Sequence, residues 1–288
     1  MSEKTWSAGE ILAVTTDFLA KKDPSAPRLE AELLLGRVLG LDRVGLYVSH
    51  ERVLTEKEVA DYRELVRRRA SREPVAYILG KKEFYGLDLE ITPAVLVPRP
   101  ETEHLVDEAL RLLKTLPGDR APSVADVGCG SGAIALAVSK SAPGALVCAT
   151  DASPDALGVA RLNAERLGLA GRVEFFEGDL AAPLAGRTFD IICANLPYVP
   201  DRDMLTLPPD VAGFEPALAL RGGPEGVDLI ARLLPQARDL LRPGGHVLLE
   251  IWPASLPKVS ELALACGLSP QEPVLDYALR DRVFAARA

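Results

Sequence analysis

The segment Val124-Ala125-Asp126-Val127-Gly128-Cys129-Gly130-Ser131-Gly132-Ala133 constrains the fold of this chain more than any other. A run of strand length ends in three glycines at alternate positions and opens into a helix. Glycines there allow close backbone approach to a ligand, and a helix N-terminus offers unpaired N–H groups to an anion. The alternation continues beyond it. Strands are predicted at Val124–Val127, Leu146–Thr150, Val173–Phe176, Phe189–Ala194 and His246–Ile251, with helices over 132–140, 154–167 and 226–241. Strands alternating with helices predict an α/β domain with a doubly wound, mostly parallel sheet, whose ligands sit at the carboxyl ends of the strands. A final pair, Leu268–Leu275 and Arg282–Ala285, is expected to form an antiparallel hairpin.

The start of the chain reads differently. Ser7 with Glu10 and Thr55 with Glu58 are capping boxes ahead of apolar residues at helical spacing. Pro27 suits the first turn of a helix that runs to Gly40. Phe84-Tyr85-Gly86-Leu87 and Leu89-Glu90-Ile91 read as a short hairpin, and VPRPETE as a stiff loop before a helix near Glu101. Three parts follow: a small N-terminal helical bundle over 1–75, a hairpin and linker over 76–100, and the α/β domain over 101–288.

Composition excludes several classes. With 288 residues, 48% of them hydrophobic, the chain has ample material for a core. No apolar run approaches the ~18 residues of a membrane span, and the start MSEKTWSAGE lacks the order of a secretion signal. A cytoplasmic protein with no membrane association is the expectation. Cys129, Cys148, Cys193 and Cys266 are scattered, as are His50, His104 and His246, which predicts buried free thiols and no metal site. Residues 1–85 balance at +1 and the rest of the chain carries −9, which argues against stable nucleic-acid binding. Arg67, Arg68, Arg69 and Arg72 form a basic cluster that reads first as a solvated helix face.

The glycine loop has two readings. As G-x-G-x-x-G/A, with Ala133 last, it fits a dinucleotide fingerprint. As D-x-G-x-G-x-G it fits S-adenosylmethionine (SAM), whose methionyl carboxylate would take the anion position. A tight turn with no ligand would use the same glycines. Asp151, ending the second strand, suits ribose hydroxyls in either reading, although Ser153 and Pro154 after it also suit a helix cap. Asp179, after the third strand, suits an adenine amino group.

Asn195-Leu196-Pro197-Tyr198, ending the fourth strand, resembles the N/D-P-P-Y/F motif of SAM-dependent methyltransferases that modify planar nitrogen. The residue types fit the chemistry, because an amide nitrogen is a weak nucleophile. The Asn195 side-chain oxygen and the Leu196 carbonyl can accept its two N–H hydrogens, orienting it and stabilising the charge that develops. Tyr198 can lie against the flat amide.

Together with REPVAYILGKKEFYGLDLEITPAVLVPRPETE, DVGCGSGAIALA and EPALALRGGPEGVDLI, these residues resemble the release-factor glutamine N5-methyltransferases, the PrmC or HemK family. The resemblance is strong from about Glu73 to Ile251. It implies a class I SAM-dependent methyltransferase fold and methylation of the glutamine in the Gly-Gly-Gln loop of class-1 peptide chain release factors by a monomer. The helical domain would dock the substrate. Gly128, Cys129, Gly130, Ser131 and Gly132 would contact SAM, with Asp151 at the ribose, Asp179 and Leu180 at the adenine, and Asn195 beside it. Asn195, Leu196, Pro197 and Tyr198 would form the catalytic corner, bordered by Thr102 and Glu103. Leu196 departs from the family's first proline, which predicts retained activity with a less rigid loop. The alternatives are another glutamine, on a ribosomal protein, adenine N6 in nucleic acid, or a SAM-binding translation partner without catalysis.

Overall fold

The computed structural model describes residues 5–22, 26–118 and 120–288, so the MSEK start lies outside the described residues. The backbone divides into two compact units, residues 1–80 with 209–214, and residues 81–208 with 215–288.

The first unit is helical: α1 (Ala8–Ala20), α2 (Pro27–Leu39), α3 (Arg43–Val48), α4 (Glu56–Ala70), α5 (Val75–Leu79) and, from the later segment, a single turn at Pro209–Ala212. Both capping boxes form, at Ser7–Glu10 and Thr55–Glu58, and each satisfies two end N–H groups. Gly40 closes α2 in the left-handed conformation. Ile11, Leu12, Leu34, Leu35, Val59 and Tyr62 meet in its core. Three arginines of the basic cluster are paired with acids of the same unit. Arg67 pairs with Glu64, Arg68 with Glu73, and buried Arg69 with Glu30 at 2.8 Å. Helices α3 and α5 are missing from the sequence reading because five or six residues are too few for a periodic signal.

In the second unit β1 (Lys81–Phe84) and β2 (Leu87–Glu90) form the expected hairpin. Tyr85 and Gly86 both have positive φ, as a two-residue turn matching strand twist requires. The chain continues through α6 (Glu103–Leu113), β3 (Ser123–Val127), α7 (Ala133–Ser141), β4 (Leu146–Asp151), α8 (Pro154–Arg166), β5 (Val173–Glu177) and β6 (Phe189–Ala194). After the turn at Pro209–Ala212, here α9, come α10 (Asp228–Leu240), β7 (Leu241–Glu250), α11 (Leu256–Ala265), β8 (Ser269–Pro270), β9 (Val274–Leu275) and β10 (Asp281–Arg287). The sheet order is β5-β4-β3-β6-β7-β10-β8, with β9 also on β10. Strands β5 to β7 are parallel, and β10 runs antiparallel to β7. Strands β3 and β6 are buried along their whole length, as central parallel strands must be between two helical layers.

Two strand readings need correction. Pairing on β7 starts at Leu241 rather than His246, and the register on β6 then shifts around Arg242–Gly245, where Pro243 and two glycines interrupt the ladder. The terminal hairpin is also not continuous. Its first arm breaks into β8 and β9 around Gln271–Pro273, and the main partner of β10 is β7. Prolines 270 and 273 have no N–H for an unbroken ladder.

Candidate active site

Chain order reverses between β3 and β6, and the crevice at such a point binds ligands in open α/β sheets. Val127 pairs with Thr150 on one side and Ala194 on the other, and Ala194 pairs with Leu249. The next residue on each strand therefore falls on one rim, in the order Asp151, Gly128, Asn195, Glu250. A cavity of about 310 Å³ opens beside it. Gly128 to Ser131, Asp151, Asp179 and Leu180 line it, as do Asn195, Leu196 and Pro197. Gly132 and Tyr198 are not in its wall. A side chain on Gly132 would press on Ala160 at 3.2 Å, so this glycine serves the packing of α7 on α8.

One wall is made of backbone. The N–H groups of Gly128 and Cys129 both donate to the Thr150 carbonyl, at 2.8 and 2.9 Å. Asp151 accepts from the N–H of Gly130 at 2.8 Å and of Ser153 at 2.9 Å, so it shapes the loop while Ser153 caps α8. Asn163 of α8 bonds the Ser131 carbonyl and both backbone groups of Glu90, tying the loop to the hairpin. Asp126 lies fully buried beneath. One oxygen accepts from Ala135 N–H at 3.0 Å, and Oδ1 has no partner among the described residues. Burial, helped by the Asp151 charge, pushes its carboxyl up to about 7. Burial also drives the Cys129 thiol upward, away from any role as a thiolate. Asp179 is paired with Arg232, and both are well exposed.

Behind the opposite wall, at Thr102 and Asn195, stands a side-chain network. Asn195 Nδ2 donates to Thr102 Oγ1 at 3.1 Å, and Thr102 donates to Glu250 Oε2 at 2.6 Å. Tyr198 donates its hydroxyl to Glu250 Oε1 at 3.1 Å. Glu250 is 1% exposed. Burial raises its pKa, against the two hydroxyls and the Arg282 charge. Of the PRPETE pair, Thr102 reaches the cavity, whereas Glu103 accepts from Tyr85 N–H in the hairpin turn.

Leu196 is 4% exposed and packs against the glycine loop; a Cβ on Gly128 would stand 3.0 Å from its Cδ2. Burial thus supplies constraint where a proline ring would fix φ. The RGGPEG stretch braces the same corner. Val199 N–H donates to the Leu220 carbonyl, Gly222 N–H to that of Val199, and Asp201 N–H to that of Gly223. At Gly226, with φ +77°, a Cβ would fall 2.4 Å from the Tyr198 carbonyl oxygen.

Glu250 and Arg232 are missing from the sequence reading. Glu250 carried the same signal as Asp151, an acid ending an apolar strand, and could have been found by that rule.

Two family models match the chain, the PrmC N-terminal domain over residues 10–80 and the methyltransferase small domain over residues 102–207. A release factor glutamine methyltransferase of Geobacter sulfurreducens is 46% identical over 253 residues, covering 87% of each chain. One of Chlorobaculum tepidum is 41% identical over 292 residues, covering 99% of each. In structure, a methyltransferase from Pyrococcus furiosus superposes with a TM-score of 0.51 at 23% identity, over 70% of this chain and 89% of that one. The last likeness is one of fold, the class I methyltransferase sheet; relatives that are this similar over nearly their whole length show that the chain belongs to the release factor glutamine methyltransferase family.

Proposed function

We propose that this chain methylates the side-chain nitrogen of the glutamine in the Gly-Gly-Gln loop of class-1 release factors, using SAM. The observation that carries the reading is the rim itself, where Asn195 stands next to Gly128 on adjacent parallel strands. An amide acceptor and a cofactor loop are thus neighbours across one crevice.

The residues present fit SAM. A Cβ at Gly130 would meet nothing within 4 Å, so the loop backbone faces open space. Gly128 to Ser131 would hold the methionyl end, Asp151 the ribose hydroxyls, and Asp179 with Leu180 the adenine. When bound, SAM supplies a methyl group activated by its sulfonium. The protein's part is orientation. Asn195 Oδ1 and the Leu196 carbonyl accept the two N–H hydrogens of the glutamine amide, which turns the nitrogen lone pair toward the cofactor side and stabilises its growing positive charge. Pro197 completes the slot, and Tyr198 supports it from behind through Glu250. The nitrogen then gives up one of the two protons to solvent water, leaving a neutral secondary amide.

The helical unit is assigned to docking of the release factor. Val44, Tyr47 and Val48 of α3 are 70%, 83% and 76% exposed, an apolar surface suited to a protein partner. Among the described residues no helix is long and apolar enough to cross a membrane. A release factor as substrate favours a cytoplasmic location.

The test is transfer of labelled methyl from SAM to a purified release factor, beside its Gln→Glu variant in Gly-Gly-Gln. Label on the wild-type factor alone is expected. Equal label on both would reject glutamine as the acceptor.

A further inference from the structure

We propose that Glu250, acting through Thr102, holds the Asn195 amide with its oxygen toward the cavity, which makes Glu250 and Thr102 positioning residues for methyl transfer. The inference rests on the function proposed above.

An asparagine amide has two ends that differ little in shape and are opposite in chemistry: the oxygen accepts and the nitrogen donates. Only the oxygen can accept an N–H of a substrate amide. An Asn195 turned by 180° about its last torsion would present its own NH2 to that NH2, donor against donor. Something must therefore break the near-symmetry, and the network behind the rim does so by proton counting.

Burial works against the charge on Glu250, but two hydroxyls at 2.6 and 3.1 Å and the Arg282 charge favour it; an ionised carboxylate has no proton to give, so both hydroxyls then donate to it. Thr102 owns one hydroxyl proton, and at 2.6 Å that proton is committed to Glu250 Oε2. Its oxygen can then only accept from the next group. Asn195 lies 3.1 Å away and must offer its nitrogen, which leaves Oδ1 for the other side. The orientation follows from the carboxylate alone, whichever way the amide is drawn. Tyr198 fills the second oxygen of Glu250 and keeps it from turning toward other donors. The sheet makes this relay possible: Leu249 pairs with Ala194, so Glu250 and Asn195 are successive on neighbouring strands. Glu250 does not line the cavity, so its influence passes through Thr102 and Tyr198.

The test uses the full-length protein with a release factor and SAM. Thr102→Val keeps the shape and removes the relay. The expected result is a fall of about 10- to 100-fold in kcat, the range that follows from misplacing one catalytic contact. The KM for the release factor and the Kd for SAM by calorimetry should stay within about threefold, which also shows that the variant is folded. Thr102→Ser restores the hydroxyl and should return kcat to within about threefold of wild type. Glu250→Gln can donate to Thr102 and so permits the wrong amide orientation; its kcat should also fall, by about 10-fold. The double variant should be no worse than Thr102→Val alone, because both substitutions cut the same relay.

The proposal is overturned by a Thr102→Val kcat within about threefold of wild type. It is equally overturned by a Thr102→Ser enzyme as poor as Thr102→Val, by a loss confined to KM or SAM binding, or by losses that multiply in the double variant. A wild-type enzyme that labels no glutamine in the same assay would instead reject the functional reading beneath it.

Discussion

The two walls of the cavity are built by different means. The glycine wall comes from one short stretch, Asp126 to Ala135, closed by Asp151 at the end of the next strand. The amide wall has Thr102 and Asn195 backed by Tyr198 and Glu250, with a brace from residues 220–226, through contacts spanning up to 148 positions. Backbone groups presented by a tight turn need only local instructions. Side chains that must agree on the direction of a proton need a sheet whose register brings distant strand ends together.

Breaking the amide wall should have the largest effect. Asn195→Ala removes the acceptor itself, and methyl transfer should fall about 10²- to 10³-fold, the usual cost of losing one such polar group in the transition state. SAM binding by calorimetry should persist, since the glycine wall is untouched. Unchanged transfer would show that Asn195 is not the group that holds the substrate amide.

The glycine wall should reveal itself through pH. Asp126 has a folded-state pKa of about 7, above the 3.8 of an ordinary aspartate, because the charged form is buried. Its contribution to stability is therefore complete below about pH 4 and is lost as pH rises through about 7, a change of roughly 2–4 kcal/mol. Urea unfolding of the ligand-free protein at pH 5 and pH 8 measures it. Asp126→Asn should flatten that slope, and an unaltered slope would place its origin elsewhere.

Gly226→Ala tests the brace. A Cβ close against the Tyr198 carbonyl, at a left-handed residue, should cost about 2 kcal/mol in thermal unfolding and lower kcat while sparing the SAM Kd. Weaker SAM binding as the main effect would show that the two walls are not separable. The smallest change is expected from Leu196→Pro. The ring restores a fixed φ but gives up part of the buried contact with Gly128, so turnover should be equal or higher, by no more than about threefold. A collapse in turnover would mean that the Leu196 side chain, rather than the backbone, sets the path of this loop.

Much of the molecule was legible because its signals are local. Ser7, Glu10, Thr55 and Glu58 mark helix starts by short-range hydrogen bonds, and Tyr85-Gly86 marks a turn by φ alone. The glycine loop, Asp151 and the Asn195 tetrapeptide could be read in the same way, each from a strand end and its chemistry. RGGPEG was visible as a motif, but its task was not, since a glycine that clears a carbonyl 28 residues away looks like any other loop glycine. The basic cluster misleads for a related reason: Arg69 finds Glu30 only once α2 and α4 have packed.

By itself the sequence determined the helical start of the chain, the parallel sheet and the glycine turn between β3 and α7, because periodicity, capping and backbone freedom act over a few residues. Only the tertiary structure brings in the residues that we propose orient Asn195: Thr102 gives its proton to Glu250 and accepts from Asn195, and Asn195 stands beside Glu250 because parallel strands β6 and β7 pair Ala194 with Leu249.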